Sequence, residues 1–406
     1  GEKFMWYAPH SGFGNQLLEF KNALLIAAIL NRTLIVPPVL DHHAVALGSC
    51  PKFRVLDPNE LRFRVWNHSI QLLREGRYVS MADVMDLSHL VSSSAIRFID
   101  FRAFVSMWCQ VNLTLLCTAV STEHSPFLEK LRQCGSNLSG YDVTPGNCLH
   151  ALQEDCRTTV WTYRTGDEEH VLDSFQPSEE LRRKRRISYS RYRKDIYRDL
   201  GPGSAAGLSN VLAFGSLFTA PYAGSESHID IHRAPKDRRI NSLIESIKFI
   251  PFVSDIADAG KRFALSTIKA PFFCVQLRLA DGQFKNHRET TLSTVSETLD
   301  SLRRNGLPVN VFVMTDLPPG NWTGSYLGSL REDPGFKVFS LTEADDLVTR
   351  TAKKMVDGGE QCRGSSLLPD VLLYLEQSVC SCASMGFVGT SGSTIAEAIS
   401  LMRENN

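Results

Sequence analysis

Seven consecutive residues, His10-Ser11-Gly12-Phe13-Gly14-Asn15-Gln16, have the types and spacing to hold an anion. They stand between an apolar run at 4–8 and a long apolar segment at 17–30. Strand, glycine turn and helix in that order bring backbone N–H groups and an Asn amide to the mouth of an open sheet. Such mouths are where α/β folds bind anionic ligands. The glycines remove Cβ atoms where a ligand must come close. His10 is a candidate base for an attacking hydroxyl; alternatively it only closes the turn. A second loop follows the apolar stretch 272–277 and carries Gln276, Arg278 and Asp281. A guanidinium stays charged and can bind phosphate bidentately. Its structural alternative is a salt bridge to Asp281, or to Asp316 at the end of the next strand, a residue that could equally hold Arg278 in place or meet a ligand. A third loop, Thr390-Ser391-Gly392-Ser393-Thr394-Ile395, opens the last helix. Unsatisfied N–H groups, the positive end of the helix dipole and hydroxyl donors suit a diphosphate there. Plain N-capping by Ser391 or Ser393 would need no ligand.

The elements that must position these loops follow from the apolar pattern. Residues 4–8 read as a strand, 15–30 as a helix and 34–37 as a strand. Asn31-Arg32-Thr33 is the turn between the last two, and Pro37-Pro38 ends the unit, a βαβ. The second half reads as strands at 272–277, 309–314, 336–341 and 386–389, with helices at 292–304, 343–356, 367–382 and 391–403. Repeating β-α predicts a parallel sheet. Residues 50–220 are less regular, and the stretch 182–198 carries nine basic residues with tyrosines between them. That stretch reads as a solvated helix, with a grip on an anionic substrate as the alternative. A chain of 406 residues suits two domains rather than one core. They are expected at 1–235 and 236–406, two Rossmann-like α/β domains facing a central cleft.

Composition excludes several classes of function. The 44 basic and 44 acidic residues balance, which argues against bulk binding to nucleic acid or anionic membrane. No apolar run reaches the roughly 20 residues of a membrane span. The chain starts almost at its first strand, so a type II membrane anchor is expected only outside it. There is no GxxxxGK[ST], no GxGxxG after the first strand, no GxSxG and no HExxH. A DxD metal motif is missing too, and no metal ligand set is expected. Ten cysteines, with five sequons at Asn31, Asn67, Asn112, Asn137 and Asn321, favour disulfides and a secretory-pathway lumen. Cys380 and Cys382 lie two apart on a helix and point apart, so they are not expected to pair with each other.

Three separated blocks resemble the GDP-fucose protein O-fucosyltransferases, including their plant members. The block 11–16 with its helix and Asn31-Arg32-Thr33-Leu34-Ile35-Val36-Pro37-Pro38 is similar to the family's first βαβ. Val275-Gln276-Leu277-Arg278 is similar to its HLR motif, and Phe387-Val388-Gly389-Thr390-Ser391-Gly392-Ser393-Thr394 to its final nucleotide turn. Val311-Phe312-Val313-Met314-Thr315-Asp316 matches a strand ending in TD. The resemblance implies a GT-B fold, with the acceptor side in the first domain and the GDP-sugar in the second. It implies an inverting transfer of fucose from GDP-fucose to a Ser or Thr hydroxyl, with GDP released, no cofactor, and Golgi or ER residence. Asn15, with the backbone of Gly12, Phe13 and Gly14, would contact the sugar or phosphate. Arg278 would stabilise the leaving diphosphate, and Ser393, Thr394 and Ile395 would hold phosphates and nucleotide.

Two positions depart from the family. Gln276 replaces the HLR histidine and cannot carry a proton at neutral pH. Met385 stands where an acidic residue often meets the base, leaving base recognition to backbone or to Glu376. Transfer of another deoxysugar, or transfer to a cell-wall polysaccharide, is therefore a second reading. A non-catalytic glycan- or nucleotide-binding protein is a third.

Overall fold

The computed structural model describes residues 1–40, 57–92, 96–113, 126–141, 148–154, 159–163, 192–217, 229–230, 237–303, 308–357 and 370–405. The chain forms two compact units, Gly1–Ile250 with Val356–Pro369, and Pro251–Met355 with Asp370–Asn406. The division expected at 235/236 falls before the helix Arg238–Lys248, which stays with the first unit. Most of the basic stretch 182–198 lies outside the described residues; its end pairs locally, Lys194 with Glu154 and Arg198 with Asp199.

In the first unit the strands are β1 (Phe4–Trp6), β2 (Thr33–Val36), β3 (Arg97–Asp100), β4 (Leu149–Ala151), β5 (Thr159–Thr162), β6 (Tyr192–Asp195), β7 (Val211–Ala213) and β8 (Ile229–Asp230). Five of them make a parallel sheet in the order β3-β2-β1-β7-β4. A smaller parallel sheet has the order β6-β5-β8. β1 sits mid-sheet and is buried along its length, so its carboxyl end is fixed on both sides. The helix α1 (Phe13–Ile29) joins β1 to β2. It is rich in Leu and Ala, good helix formers, and buries most of its residues. It begins two residues before the expected start, because extended Gly12 serves as N-cap. The glycine loop thus supplies the first turn of the helix.

Arg32, read as a turn residue, is only 2% exposed. Its guanidinium donates to the carbonyls of Phe4 (3.1 Å), Ser209 (3.1 Å) and Ala206 (2.6 Å), and burial pushes its pKa down to about 10. It ties the start of β1 to the segment before β7. Beside β1, Trp6 meets Trp66 edge-on at 6.3 Å, and a disulfide joins Cys109 to Cys134.

The second unit holds β9 (Phe272–Leu277), β10 (Val309–Thr315), β11 (Phe336–Phe339) and β12 (Gly386–Gly389), all parallel in the order β11-β10-β9-β12. β9 is apolar except for Gln276 and wholly buried. Strand alternation sends Phe273, Val275 and Leu277 into one apolar cluster with Val295, Leu299 and Leu327. The opposite face carries Cys274, which forms a disulfide with Cys380 of the helix Val371–Ser381. Cys382 is free, so the two neighbouring cysteines do not pair with each other, as expected. At the end of β12 the last helix (Thr394–Asn405) comes close. A Cβ on Gly389 would sit 2.5 Å from that of Ala396, so only glycine fits.

Candidate functional site

The three loops singled out by sequence all lie at carboxyl ends of parallel strands, two of them in the second unit. There, β9 runs straight into Arg278, which is half-buried. Its Nη2 donates to Asp281 Oδ2 at 2.8 Å, its Nε lies 3.6 Å from Asp316 Oδ2, and its guanidinium stands 5.6 Å from the Phe284 ring. Both carboxylates that sequence offered as partners are therefore engaged. The buried Arg278 Nε still has no hydrogen-bond partner among the described residues.

Asp316, expected among the ligand contacts, is used differently. Its Oδ1 accepts from the N–H groups of Leu279 (2.6 Å) and Ala280 (2.9 Å), and its Oδ2 from that of Asp281 (3.1 Å). One carboxylate from β10 thus gathers three consecutive amides and fixes the loop behind Arg278. Three of its roughly four acceptor sites are taken by these amides, which makes it a loop anchor.

Gln276 is 1% exposed, and its Oε1 accepts from the Thr390 N–H at 3.2 Å. The Thr390 hydroxyl accepts from the Arg278 N–H (3.0 Å) and donates to the Gln276 carbonyl (3.2 Å). Thr390 therefore stitches the second and third loops together. Ser391 and Gly392 are exposed, and Gly392 has φ +73 with open space around its Cβ position. Ser393 is buried at the helix start, while Thr394 and Ile395 are half-buried in its first turn. Met385 packs partly buried against the apolar cluster. Glu376 is buried in the helix Val371–Ser381, and desolvation pushes its carboxyl well above the usual range.

In the first unit, α1 has neither a side-chain cap nor an acid in its first turn, and nothing lies within 4 Å of a Cβ placed on Gly12. The N–H groups of Gly12, Phe13 and Gly14 are at a helix start, where no intrahelical acceptor exists. Phe13 is buried as a core residue, so it contributes backbone only. Asn15 Nδ2 donates to Ser11 Oγ at 2.9 Å, which aims its amide along the loop. Gln16 is buried, donates to the carbonyls of Ser11 and Leu40, and accepts from the Leu40 N–H.

His10 is a correction to the sequence reading. Its side chain is fully buried, and Nδ1 lies 2.8 Å from Glu19 Oε1. A general base must reach the proton it takes, directly or through one water. A ring sealed in the core and spent on a carboxylate closes the turn instead. Sequence reasoning passed over Glu19 and Phe284, and it named Thr390 without its role of joining two loops. Glu19 had a signal: it is the single acid in a largely apolar helix, four residues after Asn15.

Among the described residues, no group of three or more His, Cys, Asp and Glu side chains is placed to hold a metal ion, and no helix is long and apolar enough to cross a membrane. No family model matches the chain. Distant similarity extends to solved structures of POFUT1 with GDP (14% identity, 99% of this chain and 96% of that one, TM-score 0.44). It also extends to the fucosyltransferase NodZ from Bradyrhizobium (12% identity, 99% and 94%, TM-score 0.37). Much nearer is O-fucosyltransferase 30 of Arabidopsis thaliana, 55% identical over 427 aligned residues that cover 100% of this chain and 83% of that protein. An identity of that size along the whole length, spanning all three loops, places the chain in the O-fucosyltransferase family.

Proposed function

We propose that this chain transfers fucose from GDP-fucose to a Ser or Thr hydroxyl of a protein acceptor, inverting the anomeric carbon and using no metal ion. The observation that carries the reading is Arg278: a permanent cation anchored by Asp281 and backed by Asp316, with a buried Nε lacking a hydrogen-bond partner among the described residues, stitched through Thr390 to a helix start. As the C1–O bond of the donor breaks, negative charge gathers on the diphosphate. A fixed guanidinium and a helix N-terminus stabilise that charge without moving. Gln276 cannot take the proton a histidine would, so in this reading it orients Thr390 and the loop rather than acting as a base. The acceptor oxygen attacks the face opposite the leaving group, and early departure of the diphosphate lowers the demand for a base. The second unit is assigned the donor nucleotide and the first unit the acceptor side, with Asn15 and the glycine loop assigned to the sugar or phosphate of the donor. A secretory-pathway lumen, Golgi or ER, is part of the proposal; its support is the disulfides together with the sequons.

Calorimetry with GDP, UDP and GDP-fucose, without metal and then with Mn²⁺, is the test. Metal-independent preference for GDP, with GDP released from GDP-fucose, is expected. No binding of any of them would overturn the enzyme reading. A second reading, another deoxysugar donor or a polysaccharide acceptor, draws on Gln276 and Met385 standing where the resemblance implies a histidine and an acid. A preference for UDP, or for a GDP-deoxysugar other than GDP-fucose, would select it.

A further inference from the structure

Glu19 is fully buried in α1 yet carries a carboxylate, an arrangement that persists only when the charge is well paired. It accepts two hydrogen bonds, from the His10 backbone N–H to Oε2 at 2.9 Å and from Ser216 Oγ to Oε1 at 2.5 Å, and the His10 ring lies against it with Nδ1 2.8 Å from Oε1. These partners come from separate places. His10 follows β1, Ser216 follows β7, the parallel neighbour of β1, and Glu19 rides on the helix. One side chain therefore joins two strand ends to the helix that leaves them.

The residue after His10 shows what this bracing accomplishes. Ser11 has φ 71, a left-handed conformation that costs a non-glycine residue about 1–3 kcal/mol unless its surroundings enforce it. On one side of Ser11, Glu19 fixes His10. On the other, Gln16 Nε2 holds the Ser11 carbonyl at 2.8 Å while its own amide is locked on Leu40. Between those two braces, Ser11 Oγ receives Asn15 Nδ2. The orientation of Asn15 thus depends on the Ser11 backbone, and that backbone depends on Glu19. Buried Tyr7, whose phenol is held up by desolvation and by the Glu19 charge, places no competing donor on the carboxylate among the described residues.

We propose that Glu19 is a positioning residue: with His10 and Ser216 it locks the left-handed Ser11 turn, and so sets Asn15 and the N–H groups of Gly12, Phe13 and Gly14 for the transfer step. The inference rests on the functional reading above, so its test has one arm that needs no activity. Hydrogen–deuterium exchange is measured on Glu19→Ala, Glu19→Gln and Ser216→Ala in the full chain. Exchange at residues 11–16 rises at least tenfold in Glu19→Ala, less in the other two, and is unchanged at 272–278. Fucose transfer then falls about 100-fold in kcat for Glu19→Ala, the scale of a small misplacement of a substrate-orienting group. The GDP Kd stays within twofold. Glu19→Gln, which keeps the shape and an acceptor for His10 N–H, recovers to within tenfold of the parent. Unchanged exchange at 11–16 in Glu19→Ala overturns the lock. Raised exchange there with unchanged kcat overturns the link to transfer. If Glu19→Ala fails to fold, Glu19→Gln and Ser216→Ala decide by the same two readouts. Absence of transfer by the parent chain would sink the functional reading alone, and the exchange arm would still judge the lock.

Discussion

Replacing Asp316 separates a loop anchor from a ligand contact. Its carboxylate accepts from the amides of Leu279, Ala280 and Asp281 at 2.6, 2.9 and 3.1 Å. Hydrogen bonds to a charged group contribute about 1.5–3 kcal/mol each, so the three set an upper bound of roughly 5–9 kcal/mol. Ala280 is exposed and water recovers part of that interaction, which leaves about 2–4 kcal/mol for Asp316→Ala. Spent on the order of the 278–281 loop, about 3 kcal/mol corresponds to roughly a 100-fold loss in the population that presents Arg278 correctly. Fucose release from GDP-fucose should therefore fall about 100-fold at a temperature where the protein is folded. Asp316→Asn keeps an oxygen for Leu279 and Ala280 but turns an NH₂ group towards the Asp281 amide. It should lose only about tenfold, because one bond and the charge are lost while two bonds remain. Steady-state kinetics combined with amide exchange at 279–281 is the assay. An Asp316→Ala protein with parental kcat, or one whose loop amides exchange as slowly as before, would refute the anchor. Equal damage from Ala and Asn with a quiet loop would return Asp316 to direct ligand contact.

Other outcomes follow from the same geometry. Arg278→Lys keeps the charge but loses the planar fork, so kcat should fall at least tenfold with GDP still bound; parental turnover would contradict the role given to the guanidinium. Glu376 holds its proton more tightly folded than unfolded, so the stability it supports is present below the ordinary carboxylate range and is lost as pH rises from there through its raised folded value. Melting curves should then show Glu376→Gln gaining on the parent between pH 5 and pH 8; a constant offset would mean that Glu376 is not desolvated. Cys274 and Cys380 close a loop 106 residues apart in sequence, so changing both to Ser should cost up to about 4–5 kcal/mol in denaturant unfolding, more than the same change at Cys109 and Cys134, 25 apart.

What the sequence disclosed tracks the range of the interaction involved. β9 was legible to the residue, because five apolar residues in a run of six admit little but a buried strand. Ends were less so: α1 starts at Phe13 because an extended glycine can cap a helix, and the helix Arg288–Arg303 starts four residues before the expected 292 because its first turn has no apolar stripe. The site divides the same way. Arg278, Asn15 and the Thr390–Ile395 turn were found because each follows a strand that periodicity reveals. The roles of Asp316, His10 and Arg32 were left open or missed, since they are decided by partners 9 to 177 positions away and by burial that no local pattern reports. His10 is the instructive case. A histidine beside a glycine loop has the composition of a base, and only the carboxylate nine residues on, folded back beneath it, turns it into a brace. The residues that touch a substrate can be read from a strand–loop–helix pattern. Those that hold them still are polar groups on apolar faces, and Glu19, Arg32 and Asp316 show that such groups need a partner search through the fold rather than a motif search along the chain.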